Sequence, residues 1–138
     1  MKLQLLNILV LLLLIVACKK DRNTKTVDIY REWKVTGFMS VESVAYPKTE
    51  GNRIMLTFNS TGVYQVHLDI NYCSGNFTVG KNCKLQIQSS GCSKACCDSK
   101  FSEKLIETLP KVTSYEIVGA QLKISVPLWG YIELQLAE

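Results

Sequence analysis

Apolar side chains recur at every second residue through most of this 138-residue chain, and such a run reads as a strand with one buried face. Between Arg53 and Phe58, Ile54, Leu56 and Phe58 share a face. Val63 to Ile70 places Tyr64, Val66, Leu68 and Ile70 on one side and Val63, Gln65, His67 and Asp69 on the other. The same period returns in Gln121–Val126, through Leu122, Ile124 and Val126, and in Tyr131–Leu136, through Ile132, Leu134 and Leu136. Trp33, Val35, Gly37 and Met39 alternate near the start, and Val41 to Val44 continue with a weaker period. One-sided alternation belongs to antiparallel sheets, because parallel strands are covered on both faces and read as unbroken apolar runs.

Turn chemistry separates these runs. Asn59-Ser60-Thr61-Gly62 and Gly80-Lys81-Asn82 read as hairpin turns, and Pro47 to Asn52 as a loop. Tyr72–Val79, the segment with Cys83, Leu85 and Ile87 on one face, and Val112–Val118 supply further strands, with Gly119-Ala120 and Pro127 to Gly130 as connections. One stretch breaks the rule: Phe101, Leu105, Ile106 and Leu109 recur at helical spacing, Asp98 or Ser99 can cap the start, and Pro110 stops the end. The expected fold is therefore mostly β with one helix (α+β), the helix near 99–109. About eight strands form a twisted antiparallel sheet curling into a partial barrel, with the helix closing one side.

The first 17 residues stand apart. Lys2 precedes Ile8–Ala17, an unbroken apolar run with five leucines, and Cys18 follows at once. Ten residues are too few to cross a bilayer, which takes roughly 20, and suit a signal peptide. Ile15-Val16-Ala17-Cys18 resembles a bacterial lipobox, which implies that Cys18 is lipidated and begins the mature chain. Residues 1–17 are then a lipoprotein signal peptide, 18–28 a lipidated N-terminus and tether opening Lys19-Lys20-Asp21-Arg22, and 29–138 the folded domain. Several acyl chains anchor stably where one holds only marginally. By the same resemblance, Lys rather than Asp at position 19 favours the outer membrane, with the domain facing the periplasm and surface display as the alternative.

Losing residues 1–17 removes Lys2 and no acid from a chain of 16 basic and 12 acidic side chains, so the net charge falls from +4 to +3. That excess is scattered. Nucleic-acid binding calls for a basic stripe with stacking aromatics, and neither is present, so no nucleic-acid partner is expected.

The order of landmarks resembles the META domain, the HslJ-like family of bacterial envelope proteins. The resemblance rests on a tryptophan strand at Trp33, on Leu56-Thr57-Phe58 with Gly62, and on Asn71 with Gly75-Asn76-Phe77. Further along it rests on Ser93-Lys94-Ala95-Cys96-Cys97, on a helix ending at Leu109, and on Val112, Tyr115 and Glu116-Ile117. It covers approximately residues 30–136. Where the family carries a cysteine before the asparagine this chain has Ile70, with Cys73 three residues on. The resemblance implies a mostly β fold with a helix, attachment or export to the envelope, and no established catalysis.

With Cys18 used for lipid, Cys73, Cys83, Cys92, Cys96 and Cys97 are disulfide candidates in an exported domain. Five is odd, so one stays free or pairs between molecules. Cys73 lies too near the far end of its strand to face Cys83 and is expected to meet Cys92, leaving Cys83 for Cys96 or Cys97. Adjacent Cys96 and Cys97 are a poor match for a bridge, since bridged Cα atoms usually stand 4.4–6.8 Å apart. A thiolate zinc site built from Cys92, Cys96 and Cys97 with Cys73 or Cys83 is one alternative, though its spacing departs from two short Cys pairs, and plain reduced thiols are the other. The single histidine, His67, shares a strand face with Asp69 and could form a dyad with a cysteine nucleophile. No catalytic signature surrounds any cysteine, and no phosphate loop occurs. No enzyme activity, cofactor or metal is expected. The chain is expected to be an envelope lipoprotein that docks another envelope protein or supports the envelope under stress. The alternative is a carrier holding a lipid or another apolar ligand in its curled sheet.

Overall fold

The structure, a computed structural model, describes residues 28–49, 51 and 53–138. The expected signal segment, Cys18 and the expected tether up to residue 27 lie outside the described residues. Among the described residues nine strands and one α-helix follow in order: β1 Glu32–Ser40, β2 Met55–Phe58, β3 Val63–His67, β4 Tyr72–Val79, β5 Leu85–Ile87, β6 Gly91–Cys92, α1 Lys100–Thr108, β7 Ser114–Val118, β8 Gln121–Val126 and β9 Gly130–Leu136. All pairings are antiparallel, in the order β5-β4-β3-β2-β1-β9-β8-β7, with the short β6 beside the upper half of β4. The two ends of this path approach each other. Lys84 bridges Ser114, and the Leu85 N–H donates to the Thr113 carbonyl at 3.0 Å, which nearly closes a barrel.

Inside are the alternate residues of each strand: Trp33, Val35, Leu56, Tyr64, Val66, Leu122, Ile124, Ile132 and Leu134 are all essentially inaccessible. The phase of β1 departs from simple alternation. A bulge between Val35 and Gly37 adds one residue against β9, so Phe38 turns inward and Met39 outward. A glycine at position 75 has a steric cause. It sits opposite Tyr64, and a Cβ there would lie 2.8 Å from the Tyr64 ring, whose hydroxyl donates to the Gln88 carbonyl at 2.7 Å.

Helix α1 begins where Ser99 leaves an extended conformation and its hydroxyl accepts the Ser102 N–H. It buries Phe101, Leu105 and, in the following 3₁₀ turn, Leu109; Pro110 fits that turn because its missing N–H is not needed there. The helix does not lie along a side of the sheet. It crosses one mouth of the barrel, entering beside the end of β3 and leaving beside β8, where the Thr113 N–H reaches the Ser125 carbonyl at 3.1 Å. Phe38 stacks on Phe101 with ring centroids 4.3 Å apart, so the helix plugs the core directly.

Candidate functional site

The helix-covered mouth gathers the loop 41–49, the turn 68–71, the segment 93–99 and the turn 127–129. Two polar clusters hold them. In the first, β3 stops at His67 because the chain turns at Leu68–Asn71, the Leu68 N–H donating to the Asn71 carbonyl at 2.9 Å. Asp69 then faces the helix start. Its Oδ2 accepts from the Ser99 N–H at 3.0 Å, the Ser99 hydroxyl at 2.6 Å and the buried Ser102 hydroxyl at 2.5 Å. Burial pushes this carboxyl up, but the bonds from Ser102 and Ser99 outweigh it and hold Asp69 below the ordinary carboxylate range. Asn71 beside it is 8% exposed. Its amide donates to the Ala95 carbonyl and to Asp98, and its oxygen accepts from the Ser93 hydroxyl and the Ala95 N–H, all within 2.6–2.9 Å. Asp98 also accepts the Ile70 and Asn71 N–H groups. These contacts fasten the segment after Cys92 to the start of β4.

The second cluster centres on Lys104, whose side chain is only 10% exposed. Glu42 Oε2 accepts from Lys104 Nζ at 2.8 Å and from the Trp129 indole Nε1 at 2.7 Å. One carboxylate therefore joins the β1–β2 loop, the helix and the β8–β9 turn. Lys104 also lies 5.1 Å from the Tyr46 ring centroid and 3.4 Å from Glu107, whose other oxygen meets Lys111. The bonds from Lys104 and Trp129 hold Glu42 below its usual pKa, and the bond to Glu42 raises that of Lys104. Nearby, Lys48 donates to the Val35 carbonyl at the bulge, and burial pushes its ammonium pKa down.

Around these clusters aliphatic side chains point into solvent. Met39 is 51% exposed, Val41 92%, Val44 87% and Leu128 109%. The pairing Ser40↔Gly130 sets their two turns side by side. Gly130 has to be glycine, since a Cβ there would run into the Met39 carbonyl. Val41 to Val44 form a turn, not a continuation of β1, because Glu42 is drawn to Lys104. Ile70, expected inside, is 55% exposed because the turn to Asp69 ends the alternation.

Of the residues singled out from sequence, Cys73 and Cys92 are joined, in direct register between β4 and β6. Cys83 does not meet Cys96 or Cys97; those two are joined to each other. The reason is distance along the sheet. The 93–98 segment is fastened at Asn71, before β4, whereas Cys83 follows the other end of that strand, eight residues or about 25 Å away. Cys83 also lies in a 3₁₀ turn instead of on the face of Leu85 and Ile87. The described residues hold no free cysteine, so the leftover thiol expected from an odd count is not found there, and the four-thiolate zinc set is not assembled. His67 and Asp69 do not form a dyad. The His67 ring lies against Tyr72, centroids 4.8 Å apart, and Asp69 Oδ2 is occupied by the helix cap. Sequence reasoning missed Glu42, Lys104 and Trp129. The available signal was Lys104 itself, three residues after Phe101 and so beside the buried face of the helix.

The fold and its mouth define a small antiparallel β-barrel plugged by a single helix. The chain belongs to the META domain family, whose model matches residues 26–127. Among solved structures it is similar to a protein from Burkholderia xenovorans determined by NMR, with a TM-score of 0.62 and 15% identity over 86% of this chain and 98% of that one. It is also similar to a crystal structure of a DUF4847 family protein from Bacteroides vulgatus, with a TM-score of 0.58 and 15% identity over 78% of this chain and 92% of that one. At that identity the likeness is one of fold. No curated protein matches the chain.

Proposed function

We propose that this chain is an outer-membrane lipoprotein, anchored through Cys18 and facing the periplasm, whose META domain binds a neighbouring envelope protein and catalyses nothing. The observation that carries the reading is Cys18 placed directly after the apolar run Ile8–Ala17. Among the described residues the core begins at Ile29, and the polar run Lys19-Lys20-Asp21-Arg22 ahead of it suits a tether. The non-catalytic part is supported by the mouth, where Asp69 Oδ2 and Asn71 hold the helix start and the 93–98 segment in place and His67 lies on the surface. The carrier alternative is disfavoured by the filled interior, in which Phe38 meets Phe101 and Phe58 meets Phe77 with centroids 4.8 Å apart.

Growing the source cells, or a bacterial host expressing the full chain, with a tagged fatty acid tests the anchor. Label is expected on the wild-type chain in the outer-membrane fraction and is expected to vanish with Cys18→Ser. An unlabelled wild type, or label that survives Cys18→Ser, removes the lipoprotein reading.

A further inference from the structure

We propose that the turn tips at the helix-covered mouth form a second membrane contact, in which Val41, Val44 and Leu128, with Met39 beside them near the end of β1, insert into the lipid surface and fix how the domain stands on it. The tether argument below rests on the lipid anchor at Cys18; the geometry of the tips does not.

Leu128 carries the first part. Val126-Pro127-Leu128-Trp129 is a turn closed by the Trp129 N–H on the Val126 carbonyl at 3.2 Å. Proline takes the second position, and the third has a φ of +61°. Glycine or asparagine suits that position, and a leucine is disfavoured there. Here a leucine occupies it and projects entirely into water. Nothing in the fold benefits from that side chain, so its use lies outside the fold.

The second part is preorganisation. Val41 and Val44 come from one turn and Leu128 from another, and Glu42 bonds both to Lys104 and to Trp129 across them. The tips are therefore held together as one surface before anything binds. Their shape selects the occupant. Side chains this exposed protrude; they line no groove, and a bilayer needs no matching pocket. A second copy is a poor fit, because four aliphatic side chains fall well short of the roughly 800 Å² per partner of a stable interface. Trp129, half-buried at the base of the tips, is the residue type that favours the headgroup level.

The tether permits it. Asp28 precedes β1, at the opposite end of that strand from Met39. The nine residues from Lys19 to Val27 span up to about 30 Å when extended, and the nine residues of β1 rise about the same. A chain anchored at Cys18 can thus run beside the barrel and let the tips reach the leaflet that holds the anchor. The outer wall of the sheet is then left facing neighbouring envelope proteins.

Among the described residues every buried core side chain lies between Ile29 and Leu134, so the chain from Lys19 onward keeps that core and, lacking Cys18, isolates this contact from lipidation. Its co-sedimentation with vesicles of pure phosphatidylcholine, and with vesicles of phosphatidylethanolamine and phosphatidylglycerol, reads the proposal. Binding to both is expected, with brominated acyl chains quenching Trp129; the only other tryptophan, Trp33, is fully buried. Leu128→Asn with Val44→Ser is expected to weaken binding at least about tenfold without lowering the melting temperature. Four outcomes would overturn the idea: no binding, binding unchanged by the double variant, binding to anionic vesicles alone, or self-association through the tips in place of lipid binding. Failure of fatty-acid labelling at Cys18 leaves this result standing, and failure here leaves the anchor standing.

Discussion

The two ends of the barrel are closed by different means. At the end where β1 begins, apolar packing does the work. Ile29 covers Trp33 and accepts its indole N–H at 2.9 Å, Phe58 and Phe77 meet edge to face, and short turns such as Asn59–Gly62 join the strands. At the mouth a helix fills the opening, and charged or amide side chains hold the loops: Asp69, Asn71 and Asp98 on one side, Glu42 and Lys104 on the other. The first end is built from apolar side chains of the same strands and turns that form the sheet. The second is built from partners distant in sequence, such as Ser102 and Asp69 or Trp129 and Glu42, and it alone presents a group of exposed aliphatic tips.

That contrast is open to test by substitution, starting with the largest effect. Asp69→Ala removes the carboxylate that holds the Ser99 cap at the helix start and leaves the buried Ser102 hydroxyl without its acceptor. Denaturant unfolding is expected to show a loss of about 3 kcal/mol. An unchanged midpoint would mean that the helix is held by packing alone. The same carboxylate shapes the acid response. Its pKa is depressed in the folded state, so its contribution is present above the unfolded value of about 3.9 and lost as pH falls through the folded one. A melting series below about pH 4 should therefore fall less steeply for Asp69→Ala than for the wild type.

At the packed end the expected effects are smaller. Gly62 has a φ of +85° and lies close to the Phe77 carbonyl. Gly62→Ala is expected to lower stability by about 1–2 kcal/mol without disturbing the mouth, as judged by Trp129 fluorescence. Leu128→Gly should do the reverse. By relieving a left-handed leucine it is expected to raise stability by about 1 kcal/mol, or about 4 °C in melting temperature. Glu42→Gln is expected to shift melting least of all, since its partners stay in place, but to speed amide exchange across 41–49 and 127–129 and not at 59–62. Uniform exchange at both ends would dissolve the contrast.

The packed end was legible in the sequence and the mouth was not. The sequence pattern located β4, β8 and β9 to within a residue, and β2 and β3 to within two or three at one end, because each strand has one buried face and period-2 patterning records it. Helical spacing from Phe101 to Leu109 located α1 for the same reason. The failures share a cause. Ile70 left the core, Val41–Val44 became a turn and Phe38 replaced Met39 inside because of a carboxylate meeting a helix start, a carboxylate meeting a buried lysine, and a one-residue bulge. None of these leaves a periodic trace. The cysteines divide likewise. Cys73 with Cys92 follows from strand register, whereas the place of Cys96 and Cys97 depends on how Asn71 and Asp98 fasten the segment around them.

The measurement that tests the two-ended design most directly is carbene footprinting of the full chain in the membranes of an expressing bacterium, compared with the chain from Lys19 in solution. The membrane is expected to protect Met39, Val41, Val44 and Leu128 from labelling, and to leave Tyr30 and Val118 at the other end as reactive as they are in solution. Equal labelling of the tips in both preparations, or protection at Tyr30 and Val118 instead, would contradict the assignment of the mouth as the membrane-facing end.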